Sequence, residues 1–287
     1  MLKVVERTKI WFAISLSIII VGMLMWAFKG LNLGIDFKGG TVVTVKMDKE
    51  PDNGVLEEIR KISAKYDSSS QVQKVGTDEV TIRGNAITDE QIPQLYKEIK
   101  DKFNLKQEKP RYTDRIGPSI GKELRRNAIY SSLVAVVLML IYISLRFEFR
   151  FGVAAVIALI HDVLITIAVY VFLQIPVNSS FVAAILTVLG YSINDTIVVF
   201  DRIRENSKKG TFNNRRELVN GSISQTLTRS INTVLTTLFT ITALYIFGVS
   251  SIKEFALPLI VGIISGTYSS IFIASPIWYV WTEKKTA

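Results

Sequence analysis

The sequence predicts an α-helical polytopic membrane protein with six transmembrane helices and one α+β domain inserted between the first two. Three observations carry that prediction. Hydrophobic residues make up 49% of the 287 positions and charged residues only 21%, with the charges crowded into a few segments. Between those segments lie apolar tracts of about twenty residues, the length that crosses a hydrocarbon core of about 30 Å. Residues 29–127 form instead one long polar stretch, in which apolar residues alternate or recur at helical spacing as they do in a small folded domain.

The first tract, residues 10–28, follows Lys3, Arg7 and Lys9. It is longer than the apolar core of a secretory signal and has no small-x-small cleavage pattern before Lys29, so it reads as a retained anchor. The glycine-rich GIDFKGGT at 34–41 then turns the chain into the insert. There, residues 41–47 are β-branched and strand-like, and residues 55–66 place Val55, Ile59 and Ile62 on one helical face. Short strands at 72–75 and 80–82 flank a turn at 76–78. Residues 92–103 are amphipathic, with Ile92, Leu95, Tyr96, Ile99 and Phe103 on one side, and residues 106–112 supply a last strand. The order βαββαβ is that of a ferredoxin-like sandwich. The remaining spans fall at 128–145, 152–173, 180–200, 230–249 and 256–281, which divides the chain into 1–28, 29–127 and 128–287.

Lys and Arg near span ends prefer the cytoplasm. The N-terminus is basic, Arg146 and Arg150 flank the link between spans two and three, and residues 201–229 carry Arg202, Arg204, Lys208, Lys209, Arg215, Arg216 and Arg229; Lys284 and Lys285 follow span six. A six-span path puts all of these on one side. Residues 175–179 carry no charge and residues 249–255 only Lys253 and Glu254, so both termini are expected in the cytoplasm and the insert outside it. Trp11, Trp26, Trp278 and Trp281 near span ends fit interfacial positions.

Charges inside the spans need a reason, since each costs on the order of 3 kcal/mol at the membrane centre. Asp162, preceded by His161, lies near the middle of span three, and Asp195, beside Asn194, lies near the cytoplasmic end of span four. Arg229 opens span five from the same side, at a depth where it meets Asp195 if the two helices are neighbours. Two readings stay open for that pair: a fixed salt bridge locking two helices, or a carboxylate that gains and loses a proton and needs Arg229 only when charged. Asp162 fits a hydrogen-bonded anchor as well as a titrating group. His161, the one histidine, fits packing better than metal binding, because no second His stands at ligand spacing.

Span five adds a polar stripe of Arg229, Asn232, Thr233, Thr236 and Thr240, expected to face the bundle or a hydrated crevice rather than lipid. Gly262 and Gly266 form a GxxxG pair near Ser265, Ser269 and Ser270, read as packing within the chain, while Pro258 and Pro276 kink or cap span six.

Several chemistries are excluded. The sequence has no Cys, hence no disulfide or thiol chemistry. Residues 117–122 have one residue too few between their glycines for a phosphate loop, and Glu123 stands where a magnesium-binding hydroxyl belongs. No metalloprotease, hydrolase or ATP motif is present, and no basic face is interleaved with stacking aromatics for nucleic acid. The expectation is a protein that is not an enzyme, holds no cofactor or metal, and draws work from a gradient or a partner.

GIDFKGGT at 34–41, RIGPSIGKELRRNAI at 115–129, HDV at 161–163 and GYSINDTIVVFDRIREN at 190–206 resemble, in order and over nearly the whole chain, the SecF branch of the SecD/SecF family of protein-export membrane subunits, related to the RND transporters. The resemblance implies a complex with SecD beside the SecYEG channel in the bacterial cytoplasmic membrane, where proton flow helps pull exported polypeptide across. It implies Asp195 as the proton-path carboxylate, with Asn194 beside it in the NDT motif, Arg229 as partner, Asp162 as a further member, and another aspartate from SecD. The insert becomes the external domain, a contact for emerging polypeptide or SecD. A proton-driven exporter of small molecules or lipids stays the alternative, and it needs a large ligand pocket in that domain.

Overall fold

The computed structural model describes residues 2–248 and 250–283. Lys284 and Lys285, expected to close the basic side, and Val249, expected in the link before span six, lie outside the described residues. The chain divides into two compact units, Leu33–Ile129 and the remainder.

The first unit holds strands β1 (Gly40–Lys46), β2 (Gln71–Val75), β3 (Glu79–Gly84) and β4 (Tyr112–Ile116), in the order β2-β3-β1-β4 with every pair antiparallel. Helices α3 (Asn53–Ala64) and α4 (Ile92–Phe103) complete the βαββαβ order. Asp52 starts α3 by accepting the Val55 N–H at 2.8 Å, and Asn104 ends α4 in the left-handed conformation. The expected faces pack together: Ile59, Ile62, Leu95, Tyr96 and Ile99 close over Val43, Val45, Val72, Val80 and Ile82. GIDFKGGT is more than a turn, since Ile35–Lys38 forms a one-turn helix, α2. Gly40 then has φ +136, and a Cβ there would stand 2.8 Å from the Gly84 carbonyl, so only glycine lets β1 start against β3.

The last strand is Tyr112–Ile116, later than expected at 106–112. Pro110 cannot donate to a ladder, and β4, an edge strand with exposed residues from Tyr112 to Arg115, is too polar to betray itself by alternation.

Asp67 pins the loop before β2 and the turn after β3. It accepts from Ser69 N at 2.8 Å, Ser69 Oγ at 2.6 Å, Asn85 N at 2.6 Å and Ala86 N at 3.0 Å. Burial alone would raise its pKa, but these donors prevail and hold the carboxyl below its ordinary range. A depressed value contributes stability that is present above the unfolded pKa and is lost as pH falls through the folded one. Hydrogen exchange, corrected for intrinsic rates, should show the Asn85 and Ala86 amides protected at neutral pH and progressively less so below the usual carboxylate range. Asp67→Asn should remove that dependence; an unchanged profile would count against the pinning role.

The second unit is helical: α1 (Thr8–Lys29), α6 (Phe149–Leu173), α7 (Ser179–Lys209), α8 (Arg215–Phe247), α9 (Ser250–Ser269), a π-helical turn (Ser270–Ala274) and α10 (Ser275–Glu283), together with most of α5 (Pro118–Arg146), which begins in the first unit. Six segments of this set are long and apolar enough to cross a membrane, and the chain is a multi-pass membrane protein. The expected spans are found, but several helices run past their apolar limits: α5 begins ten residues before the apolar start at 128, α7 ends at Lys209 and α8 starts at Arg215, capped by Asn214. Helix continues wherever its backbone bonds are satisfied, whereas hydropathy marks only the part that lipid requires.

α9 with α10 is the most buried segment and α5 the least. Gly262 and Gly266 are the reason for close α7–α9 contact. A Cβ at Gly262 would lie 2.4 Å from Val188 Cγ2, and one at Gly266 would lie 2.9 Å from Ser192 Cβ. The GxxxG pair is thus used within the chain. Gly262→Val should cost about 1–3 kcal/mol by overpacking, read as a lower unfolding temperature in detergent; an unchanged temperature would show that the helices can separate freely. Pro258 lies inside α9, while Pro276 follows the π turn, whose Ser270 carbonyl accepts from Ser275 Oγ at 3.0 Å.

The basic segments gather at one end of this unit. Val4 N and Val5 N donate to Asn220 Oδ1 at 3.0 and 3.1 Å, Arg204 Nη1 to the Arg146 carbonyl at 3.3 Å, and Arg215 to the Thr282 carbonyl. At the other end, Asn32 Nδ2 donates to the Gln174 carbonyl at 2.8 Å and Val177 N to the Asn32 carbonyl at 2.8 Å.

Candidate functional site

Residues Ser192, Asp195, Thr196, Val199 and Ile203 recur at helical spacing on the buried stripe of α7. Asp195 is therefore turned inward, 9% exposed, in a segment otherwise dominated by apolar side chains. Ser230 Oγ donates to its Oδ1 at 2.5 Å, and among the described residues Oδ2 has no partner. Asp195 lines a cavity of about 70 Å³ with Tyr191, Asn194, Val198, Arg229, Thr233 and Val234, large enough for more than one water. Tyr191 braces its wall, donating to the Thr233 carbonyl at 2.9 Å.

Arg229, Asn194 and Asp195 thus share one cavity, as their positions on neighbouring spans imply. Ser230, rather than the guanidinium, meets the carboxylate. Arg229 and Asn194 are exposed at the rim. Such a site can hold a carboxylate in either of two forms: neutral with Ser230 alone, or charged with the arginine drawn closer.

Of the two settings expected for the span-five stripe, the bundle is not the one found for the rest of it. Asn232, Thr236 and Thr240 are exposed on the outside of this chain rather than turned into its bundle. The threonine hydroxyls of the stripe need no bundle partner, because Thr233, Thr236 and Thr240 each bond the carbonyl four residues back, at 2.9, 3.1 and 3.2 Å.

Asp162 lies apart from that cavity's lining and is fully buried. Its carboxylate accepts from Ser192 Oγ at 2.7 Å, Ser265 Oγ at 2.8 Å and Ser269 Oγ at 2.8 Å, and meets His161 Nδ1 at 3.0 Å. His161 Nε2 reaches Ser15 Oγ at 2.9 Å and its ring stacks on Tyr268. His161 is therefore a bonded member of a polar cluster that joins α1, α6, α7 and α9, more than the packing residue expected. The sequence reading missed Ser230, Ser192 and Ser15 as partners. Ser265 and Ser269, one turn apart, carried the available signal, and Ser230 adjoins Arg229.

Fold and site together define a multi-pass membrane protein with a small α+β unit and carboxylates buried among its spans. The family model described as "Protein export membrane protein SecD/SecF, C-terminal" matches residues 95–284, and that of the "SecD/SecF GG Motif" matches residues 25–51. The chain is 41% identical over 276 residues to the protein translocase subunit SecF of Dictyoglomus turgidum, covering 96% of this chain and 94% of that one. It is 36% identical to SecDF of Bacillus subtilis, covering 98% of this chain but 38% of that longer protein. The crystal structure of SecDF from Thermus, a translocon-associated membrane protein, superposes with TM-score 0.86 at 37% identity, over 97% of this chain and 38% of the other. The chain belongs to the SecD/SecF family of protein-export membrane proteins.

Proposed function

We propose that this chain is the SecF-type subunit of a Sec protein translocase and acts with a SecD-type subunit to couple proton flow to polypeptide export. On this reading it lies in the bacterial cytoplasmic membrane beside the SecYEG channel, with both termini in the cytoplasm and the βαββαβ unit outside, where unfolded polypeptide emerges. The supporting names are those of its relatives, subunits of protein translocases. In the Bacillus SecDF, a stretch like this chain is fused to a longer remainder, which supports association with a SecD-type partner here. The exposed polar face of α8 is where such a partner would cover groups that lipid does not.

One observation carries the proton reading: a buried carboxylate with one oxygen held by Ser230 and the other without a partner among the described residues, on a cavity wide enough for water and rimmed by Arg229. Asn194 and Arg229 would shape the charged form, and Asp162 would organise the neighbouring helices. Protons are the coupling ion, and no cofactor is invoked. Membrane vesicles holding this chain and its SecD-type partner should export a preprotein faster when a proton gradient is imposed, and a protonophore should cancel the gain. Export indifferent to the gradient would contradict the reading, and failure of a SecD-type chain to copurify from the native membrane would contradict the partnership.

A further inference from the structure

Two hydrogen bonds pin α7 on either side of Asp195, the first of them to Asp162. Ser192, three residues before Asp195, donates to Asp162 Oδ2 at 2.7 Å. Thr196, one residue after it, bonds Ser270 Oγ at 2.8 Å, and Ser270 in turn donates to the Gly266 carbonyl at 2.8 Å. Both pins depend on Gly266, where a Cβ would stand 2.9 Å from that of Ser192. Behind the cluster, His161 ties Asp162 to Ser15 of α1. Each residue turns a helix by about 100°, so a modest rotation of α7 would move Asp195 away from Ser230 and from its cavity.

We propose that the hydroxyl cluster around Asp162 fixes the rotation of α7 and thereby the place of the Asp195 carboxylate, which makes Ser192 and Asp162 positioning residues for the exchange at Asp195. This rests on the reading of Asp195 given above. Among the described residues, the groups around Asp162 are His161 on its own helix, with Tyr268 of α9 stacked on that ring, and hydroxyls from α7 and the facing turns of α9. Asp195 shares its cavity with Arg229 of α8 and Tyr191 of its own helix.

The absence of Cys from the sequence makes a single-site test clean. Val198→Cys places a thiol in the wall of the Asp195 cavity. In membranes containing the full chain and its partner, a water-soluble maleimide should label that thiol at a rate changed roughly fivefold by Ser192→Ala, the factor one buried hydrogen bond controls. In chains that keep Val198, infrared titration of the Asp195 band should show its midpoint displaced by about half a pH unit or more in Ser192→Ala. Asp162→Asn should move both further, and Ser192→Ala keeps the test decisive if Asp162→Asn misfolds. Unchanged labelling together with an unchanged midpoint in Ser192→Ala overturns the proposal. Changed labelling with no Asp195 titration in any chain upholds the pin and overturns the proton reading instead. Changed labelling with a titration whose midpoint stays put assigns the cluster a packing role only, which also overturns the proposal.

Discussion

Replacing Asp195 by Asn is expected to abolish the gradient-dependent part of export while leaving the chain folded and joined to its SecD-type partner. Asn has nearly the shape of Asp and keeps a carbonyl oxygen for the Ser230 hydroxyl, which now sits 2.5 Å from Oδ1. The loss in stability should therefore stay near about 1 kcal/mol, the scale of one hydrogen bond. What Asn lacks is a proton to give up, so no alternation between neutral and charged forms is left to drive helix packing. The check is export from vesicles with and without an imposed gradient, beside copurification of the partner. Export that still responds fully to the gradient would remove Asp195 from the mechanism, whereas loss of assembly would favour a purely architectural role.

The second large effect is on stability. Asp162→Ala should destabilise the membrane unit by several kcal/mol, since each buried donor left without an acceptor costs about 1–3 kcal/mol. Three serine hydroxyls and His161 would lose their common acceptor at once, each buried where water cannot replace it. Thermal unfolding in detergent should show a marked drop, larger than for Asp195→Asn. Equal, small drops for the two variants would mean that the serines find other acceptors and that the cluster is not a hub.

The spans and the βαββαβ order were legible because hydropathy and helical periodicity report burial directly. Ile59 and Ile62, Leu95 and Ile99 were placed on the packed faces from spacing alone, and they are there. β4 was misplaced because an edge strand such as Tyr112–Ile116 buries almost nothing and leaves no alternation to read. Asp162, Asp195 and Arg229 announced themselves by their charge in an apolar setting. Their partners did not, because a serine in a span is unremarkable until tertiary structure shows what its hydroxyl meets, as with Ser192, separated from Asp162 by 30 residues. The outward turn of Asn232 and Thr236 was likewise hidden, since a threonine bonded to its own helix suits several surroundings.

The central claim, that Asp195 exchanges a proton within the membrane, is tested most directly by infrared difference spectroscopy of the complex in lipid, titrated with pH and compared with Asp195→Asn. A protonated-carboxyl band should appear and vanish reversibly with pH and be missing from the variant. A spectrum in which no such band distinguishes the two chains at any pH would contradict it.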